Sequence, residues 1–234
     1  MSLLSTKYRS GTKVQHQLFT SNGTWTKPAK FIEGTLIVTG IGGGASGNKI
    51  VSLACGGNGG EFVVDKYVDV TASPTVSVTI GAGGVAVTGA APLAGNSGSP
   101  TTFGALLTLA GGIGASSVGV QGASVGGSVG GIDAGGGNSS QYMFPTPIQC
   151  QYAGACGFNN NQNFTYGASN TATGVAGGGN GLVLGDTGVA GGSAVSSSTT
   201  YGGVGYGAGG GSLANNNSGA GAAGALYLTW QEYI

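Results

Sequence analysis

The chain has 234 residues; 53 are glycine, about three times the roughly 7% of ordinary proteins, only 6% are charged, and the formal net charge is zero. So little charge excludes the basic patch that nucleic-acid binding needs, and no run of about 20 apolar residues exists to cross a membrane as a helix. Intrinsic disorder rests on low hydrophobicity with high net charge, and this chain, 40% hydrophobic and neutral, has neither.

Glycine sets the first physical demand. Each glycine fixed in one conformation costs roughly 0.5–1 kcal/mol more than an alanine. Over 53 of them the excess is on the order of tens of kcal/mol, larger than a domain's usual margin of stability. Dense main-chain hydrogen bonding, close packing or burial between subunits must offset it, and an oligomer is expected.

In chain order, residues 1–16 are polar, lack the apolar core of a secretion signal, and hold Lys7, Arg9, Lys13 and the single histidine, His16. The β-branched run FIEGTLIVT (31–39) reads as a strand, EFVVDKYVDV (61–70) alternates in part, and TVSVTI (75–80) alternates strictly before a glycine stop. TTFGALLTLA (101–110) reads as a further strand, and ALYLTWQEYI (225–234) closes the chain with Leu226, Leu228 and Trp230 on one face. Helix signals are almost missing, because glycine interrupts every candidate window. The expected fold is all-β: a β-sandwich-like core of residues 17–112 plus 219–234, with a long glycine-rich insertion over 113–218.

The glycines between 111 and 137 fall in all three phases of a triplet, which excludes collagen. Glycine tracts at 42–44, 56–60, 135–137, 177–179 and 209–211 suit either polyglycine-II-type helices packed side by side or tight turns.

Catalytic chemistry finds few candidates. His16 alone cannot supply a Ser-His-Asp arrangement with any choice of base, and no metal or cofactor site is expected. Asp65 with Asp69, or Asp133 with Asp186, are carboxylates of the kind glycoside hydrolysis needs, but the first two read as solvated strand-edge charges. No phosphate-binding loop surrounds Lys49. Cys150 and Cys156 are two thiols short of a zinc site and are either buried thiols or a loop-closing disulfide, while Cys55 reads as a small buried residue. The chain reads as a non-enzyme.

One segment differs from its surroundings. Residues 141–166 hold Tyr142, Phe144, Tyr152, Phe158, Phe164 and Tyr166 together with Asn160 and Asn161. Stiff aromatics with adaptable amides are the mixture that binding loops favour, although a local core or a subunit interface would also use it.

The run FTSNGTWTKP (19–28), followed by LIVTG and residues 42–44, resembles the opening of a glycine-rich domain of bacteriophage tail-fibre and receptor-binding proteins. GGNGGEF (56–62), VSVTIGAGG (76–84), SPTTFG (99–104) with LAGG (109–112), and the segment from GAGGG (207–211) to Trp230 follow in the same order. The resemblance implies a virion protein, assembled in the host cytoplasm and commonly a homotrimer, that adheres to a host cell-surface polysaccharide or outer-membrane protein. The aromatic segment 141–166 would then be the receptor-contacting tip, and residues 1–16, with Lys7, Arg9 and Lys13, would attach to other virion tail proteins. A head or tail decoration protein without a receptor is the alternative. Ice binding by a polyglycine-II bundle is a third reading, disfavoured by the missing glycine period.

Overall fold

The computed structural model describes residues 11–49, 56–114, 202–203, 205–213 and 217–234, with the backbone of short strands between 128 and 200. The described residues contain no α-helix, and the all-β expectation holds. Their main strands are β1 (Thr12–Phe19), β2 (Gly23–Thr26), β3 (Ile37–Ile41), β4 (Phe62–Tyr67), β5 (Thr75–Thr79), β6 (Thr101–Phe103), β7 (Leu107–Leu109) and a C-terminal strand, Ala225–Tyr233. One sheet runs β1, C-terminal strand, β3, β4 with antiparallel pairing and continues past β4 through the short strands Ser128–Val129, parallel to it, and Ile132–Asp133; the other, antiparallel, runs β2, β5, β6, β7.

The two sheets enclose an apolar core. Trp25 is 1% exposed and makes edge-to-face contacts with Phe31, Phe103 and Trp230 at centroid distances of 5.7, 5.8 and 6.1 Å. Leu226, Leu228, Val38, Val76 and Val78 fill the remainder, which is why alternation in 75–80 and 225–234 was readable. The Trp25 indole N–H finds no acceptor there. That leaves one buried donor unpaired, a cost of roughly 1–3 kcal/mol that the rings around it must outweigh.

Strand limits differ from the sequence reading where glycine bends the chain. The strand expected over 31–39 starts only at Ile37, because Gly34 adopts φ +78°, and it continues to Ile41. The strand expected over 101–110 is a hairpin, split at Gly104 with φ +51°. β1 and β2 were not foreseen as strands. β1 begins at Thr12, inside the segment assigned to virion attachment.

The strands continue into a second structure built almost entirely from backbone. β3 leads into residues 42–47, whose N–H groups donate in turn to three different neighbours. Gly42 and Ala45 donate to Glu61 and Asn58, Gly43 and Ser46 to Ser99 and Asn96, and Gly44 and Gly47 to Ala222 and Gly219. The carbonyls of Gly43, Gly44 and Ala45 accept from Gly112, Gly84 and Gly210. Partners that recur at every third residue are what a three-residue-per-turn helix produces.

The surrounding segments, near 56–61, 110–114, 96–99, 81–84, 219–224 and 207–211, bond to one another in that order. Asn58 donates to Ile113, Gly98 to Gly112, Ser99 to Ala82, Gly221 to Gly84, Ala222 to Ala208 and Gly57 to Gly210. The ring is therefore closed around one central segment. Of the glycine tracts, 42–44, 56–60 and 209–211 are such helices rather than tight turns; those at 135–137 and 177–179 lie outside the described residues. Residues 207–211, which the sequence reading placed in the insertion, complete the ring.

Glycine is required here by proximity. A Cβ at Gly42, Gly43 or Gly44 would overlap the carbonyl oxygen of Ala110, Ala82 or Ala208. Gly43→Ala is therefore expected to destabilise the protein by about 3 kcal/mol or more, since these are backbone atoms that cannot rotate away. Ala82→Ser, exposed on the ring, should stay within about 0.5 kcal/mol. Denaturant unfolding of the two variants against the parent checks this; equal stabilities would contradict the packing described.

Candidate binding site

The residues flanking the aromatic segment, Gly114 before it and Gly203 after it, both belong to the glycine bundle. Gly114 donates its N–H to Ser97 Oγ at 3.1 Å, and a Cβ on it would overlap the Gly95 carbonyl. Gly203 donates to the Ala220 carbonyl at 2.9 Å. Both flanks are thus fixed to adjoining parts of one hydrogen-bonded framework. Tyr142, Phe144, Tyr152, Phe158, Asn160, Asn161, Phe164 and Tyr166 lie outside the described residues as side chains, as do Cys55, Cys150, Cys156, Asp133 and Asp186.

Of the residues expected to attach to other virion proteins, Lys7 and Arg9 lie outside the described residues. Lys13 is placed, with its ammonium 3.3 Å from Glu232 Oε2. Glu232 also accepts from Trp230 Nε1 at 3.0 Å and from Gln15 Nε2 at 3.3 Å. The Trp230 hydrogen bond is the main reason that its carboxyl is held below the ordinary value, with Gln15 and Lys13 adding to it against the opposing effect of burial.

Asp65 and Asp69 have separate structural partners. Asp69 Oδ1 accepts from the Thr71 N–H at 2.9 Å and from its hydroxyl at 2.7 Å. These bonds, the backbone one first, hold its carboxyl below the ordinary range. Asp65 sits in a β-bulge: the pairing of β3 with β4 shifts between Val38 and Gly40, and Asp65 takes φ +51°. A left-handed aspartate costs roughly 1–2 kcal/mol. Thr39, 2% exposed, compensates by accepting the Asp65 N–H at 3.1 Å and donating to its carboxylate at 3.3 Å.

The bulge opens onto a groove of about 320 Å³ between β4 and β7, lined by residues 61–66 and 107–109. Glu61 is tied at its rim, accepting the Ala110 N–H at 2.8 Å, so Asp65 and Lys66 are the charged groups left to face solvent there. From the sequence, Asp65 is weighed as a glycoside-hydrolase carboxylate and reads in preference as a solvated strand-edge charge. The available signal was the pair Val63-Val64, where alternation in 61–70 fails.

His16 stacks on Tyr227 at 5.6 Å with an 11° interplanar angle, and its Nδ1 lies 3.2 Å from the Thr229 hydroxyl. Lys49 donates to Asn217 Oδ1 at 2.9 Å. Among the described residues, no cluster of three or more His, Cys, Asp or Glu could hold a metal ion.

A family model described as a glycine-rich domain matches residues 19–231, nearly the whole chain. No curated protein matches it.

The depressed carboxyls predict an acid-sensitive protein. A group whose folded pKa is lowered stabilises the fold above its unfolded pKa and loses that contribution as pH falls through its folded value. Glu232→Gln should therefore lower the melting temperature at pH 7 and flatten its decline below about pH 4.5, the ordinary glutamate value. Thermal melts from pH 7 to 3 measure both effects, and an unchanged acid limb would rule out Glu232 as a contributor.

Proposed function

We propose that this chain, which belongs to the glycine-rich domain family, is a phage virion tail-fibre or tail-tip protein that binds a host cell-surface polysaccharide or outer-membrane protein. The supporting observation is the anchoring of both ends of residues 115–201 in the hydrogen-bonded bundle at Gly114 and Gly203. Binding residues commonly sit on connections held by a rigid scaffold. A framework of backbone hydrogen bonds with few large side chains is such a scaffold, and the aromatic and asparagine-rich segment 141–166 is the part it would display. The order of the glycine motifs along the chain, similar to that in phage tail-fibre proteins, supplies the virion context.

The chemistry of recognition follows from the residue types. Tyrosine and phenylalanine rings offer flat apolar contact, and Asn160 and Asn161 offer paired donors and acceptors, a set suited to sugars or to a protein loop. With so few charges, affinity for such a surface should depend little on salt.

The test is binding of the fluorescently labelled full chain to a panel of bacterial strains, beside a variant lacking residues 141–166. Retention on at least one strain, lost in a deletion variant that keeps the parent's melting temperature and assembly state, is the expected result. Failure to bind any strain, together with binding to purified virions, would replace adhesion by a decorating role.

A further inference from the structure

β1 is the outermost strand of its sheet, and its edge from Val14 to Leu18 is unusually well suited to pairing. The Ile234 N–H donates to the Gly11 carbonyl at 2.8 Å, which fixes the alternation of the ladder. Residues 11, 13, 15, 17 and 19 bond inward to the C-terminal strand, so the N–H and C=O groups of Val14, His16 and Leu18 point outward. Those three residues' main-chain groups have no hydrogen-bond partner among the described residues. Soluble proteins normally blunt such an edge with proline, a bulge, short length or free charge. β1 has none of these over its eight residues: it contains no proline, pairs without a register shift, and its one lysine is neutralised by Glu232.

We infer that this edge joins a second copy of the chain, β1 against β1, in an antiparallel two-fold pairing centred on Gln15. The edge is self-complementary in this register. In that register Val14 faces the partner's His16 and His16 the partner's Val14, so each pair exchanges both backbone hydrogen bonds. Leu18, 44% exposed in the single chain, gains cover beside the partner's Thr12. Lys13 faces Gln17, so no like charges oppose each other across the seam, and the chain's zero net charge leaves no long-range repulsion. The pairing fuses the two β1-containing sheets into one continuous sheet and satisfies the main-chain groups the edge exposes. This two-fold assembly differs from the three-fold one that the tail-fibre resemblance implies, and it stands or falls independently of receptor binding.

Sedimentation of the full chain measures the assembly, with a dimer of the 22.3 kDa protein expected. His16→Pro removes an outward N–H, a position where an edge strand tolerates proline, and should yield a folded monomer. Gln15→Cys places two thiols across the two-fold axis at a non-hydrogen-bonded pair, about 4.5 Å between Cα atoms, within disulfide reach. Mild oxidation should link Gln15→Cys into a dimer well above the level given by Gln17→Cys, and the cross-link reads the register even if the proline variant fails to fold. A monomeric or three-fold parent would overturn the inference, as would equal cross-linking of the two cysteine variants. A monomer whose Val14 and His16 amides are protected from deuterium exchange would overturn it too, because the chain would then cover its own edge.

Discussion

The distance between neighbouring backbones in the bundle governs the rest of this structure. Residues 42–47 are surrounded on six sides by other segments, each near enough for a main-chain hydrogen bond of 2.7 to 3.3 Å. At that spacing no room remains for a Cβ at Gly42, Gly43, Gly44 or Gly47, whereas Ala45 and Ser46 keep theirs. Glycine is the side chain that fits, and the entropy lost in fixing it is offset by hydrogen bonds that each contribute about 1 kcal/mol net. An arrangement of this kind stores its stability in main-chain complementarity rather than in apolar volume.

The bundle and the sandwich are continuations of each other. β3, β5 and β7 run out into residues 42–47, 81–84 and 110–114, while 56–61, 96–99 and 219–224 run into β4, β6 and the C-terminal strand. Antiparallel pairing in the sheets thus hands the bundle three outgoing and three incoming segments, and 207–211 closes the ring. The aromatic core around Trp25 fixes the strands, and the strands fix which glycine segments meet. Ser46 and Ser212 tie the far end: Ser46 Oγ accepts the Asn96 N–H at 2.8 Å, and Ser212 donates to the Asn48 carbonyl at 2.6 Å.

Such a framework leaves little side-chain chemistry of its own. Its side chains are too small for a rich chemical surface, and polar groups within it are consumed by the lattice. The features not consumed by the framework are its ends at Gly114 and Gly203, the groove beside Asp65 and the outer strand β1. At the second of these the strain of a left-handed aspartate is held in place by a buried threonine.

Much of the fold was legible in the sequence, because burial on one face writes a period of two. Val76, Val78, Leu226, Leu228 and Trp230 alternate, and the sheets bury them as that alternation requires. The residue types in 141–166 likewise marked a candidate binding segment without any structure. What the sequence could not decide was partnership. VSVTI followed by GAGG reads the same whether those glycines turn or continue straight, since a local pattern carries no record of which distant carbonyl awaits each N–H. Only the tertiary structure showed Gly43 bonded to Ser99, Gly44 to Ala222, and Thr39 supporting Asp65 across a bulge. The reason is physical: side-chain polarity is encoded at each position, whereas backbone donors and acceptors are identical at nearly every residue, and only their arrangement in space selects the pairs.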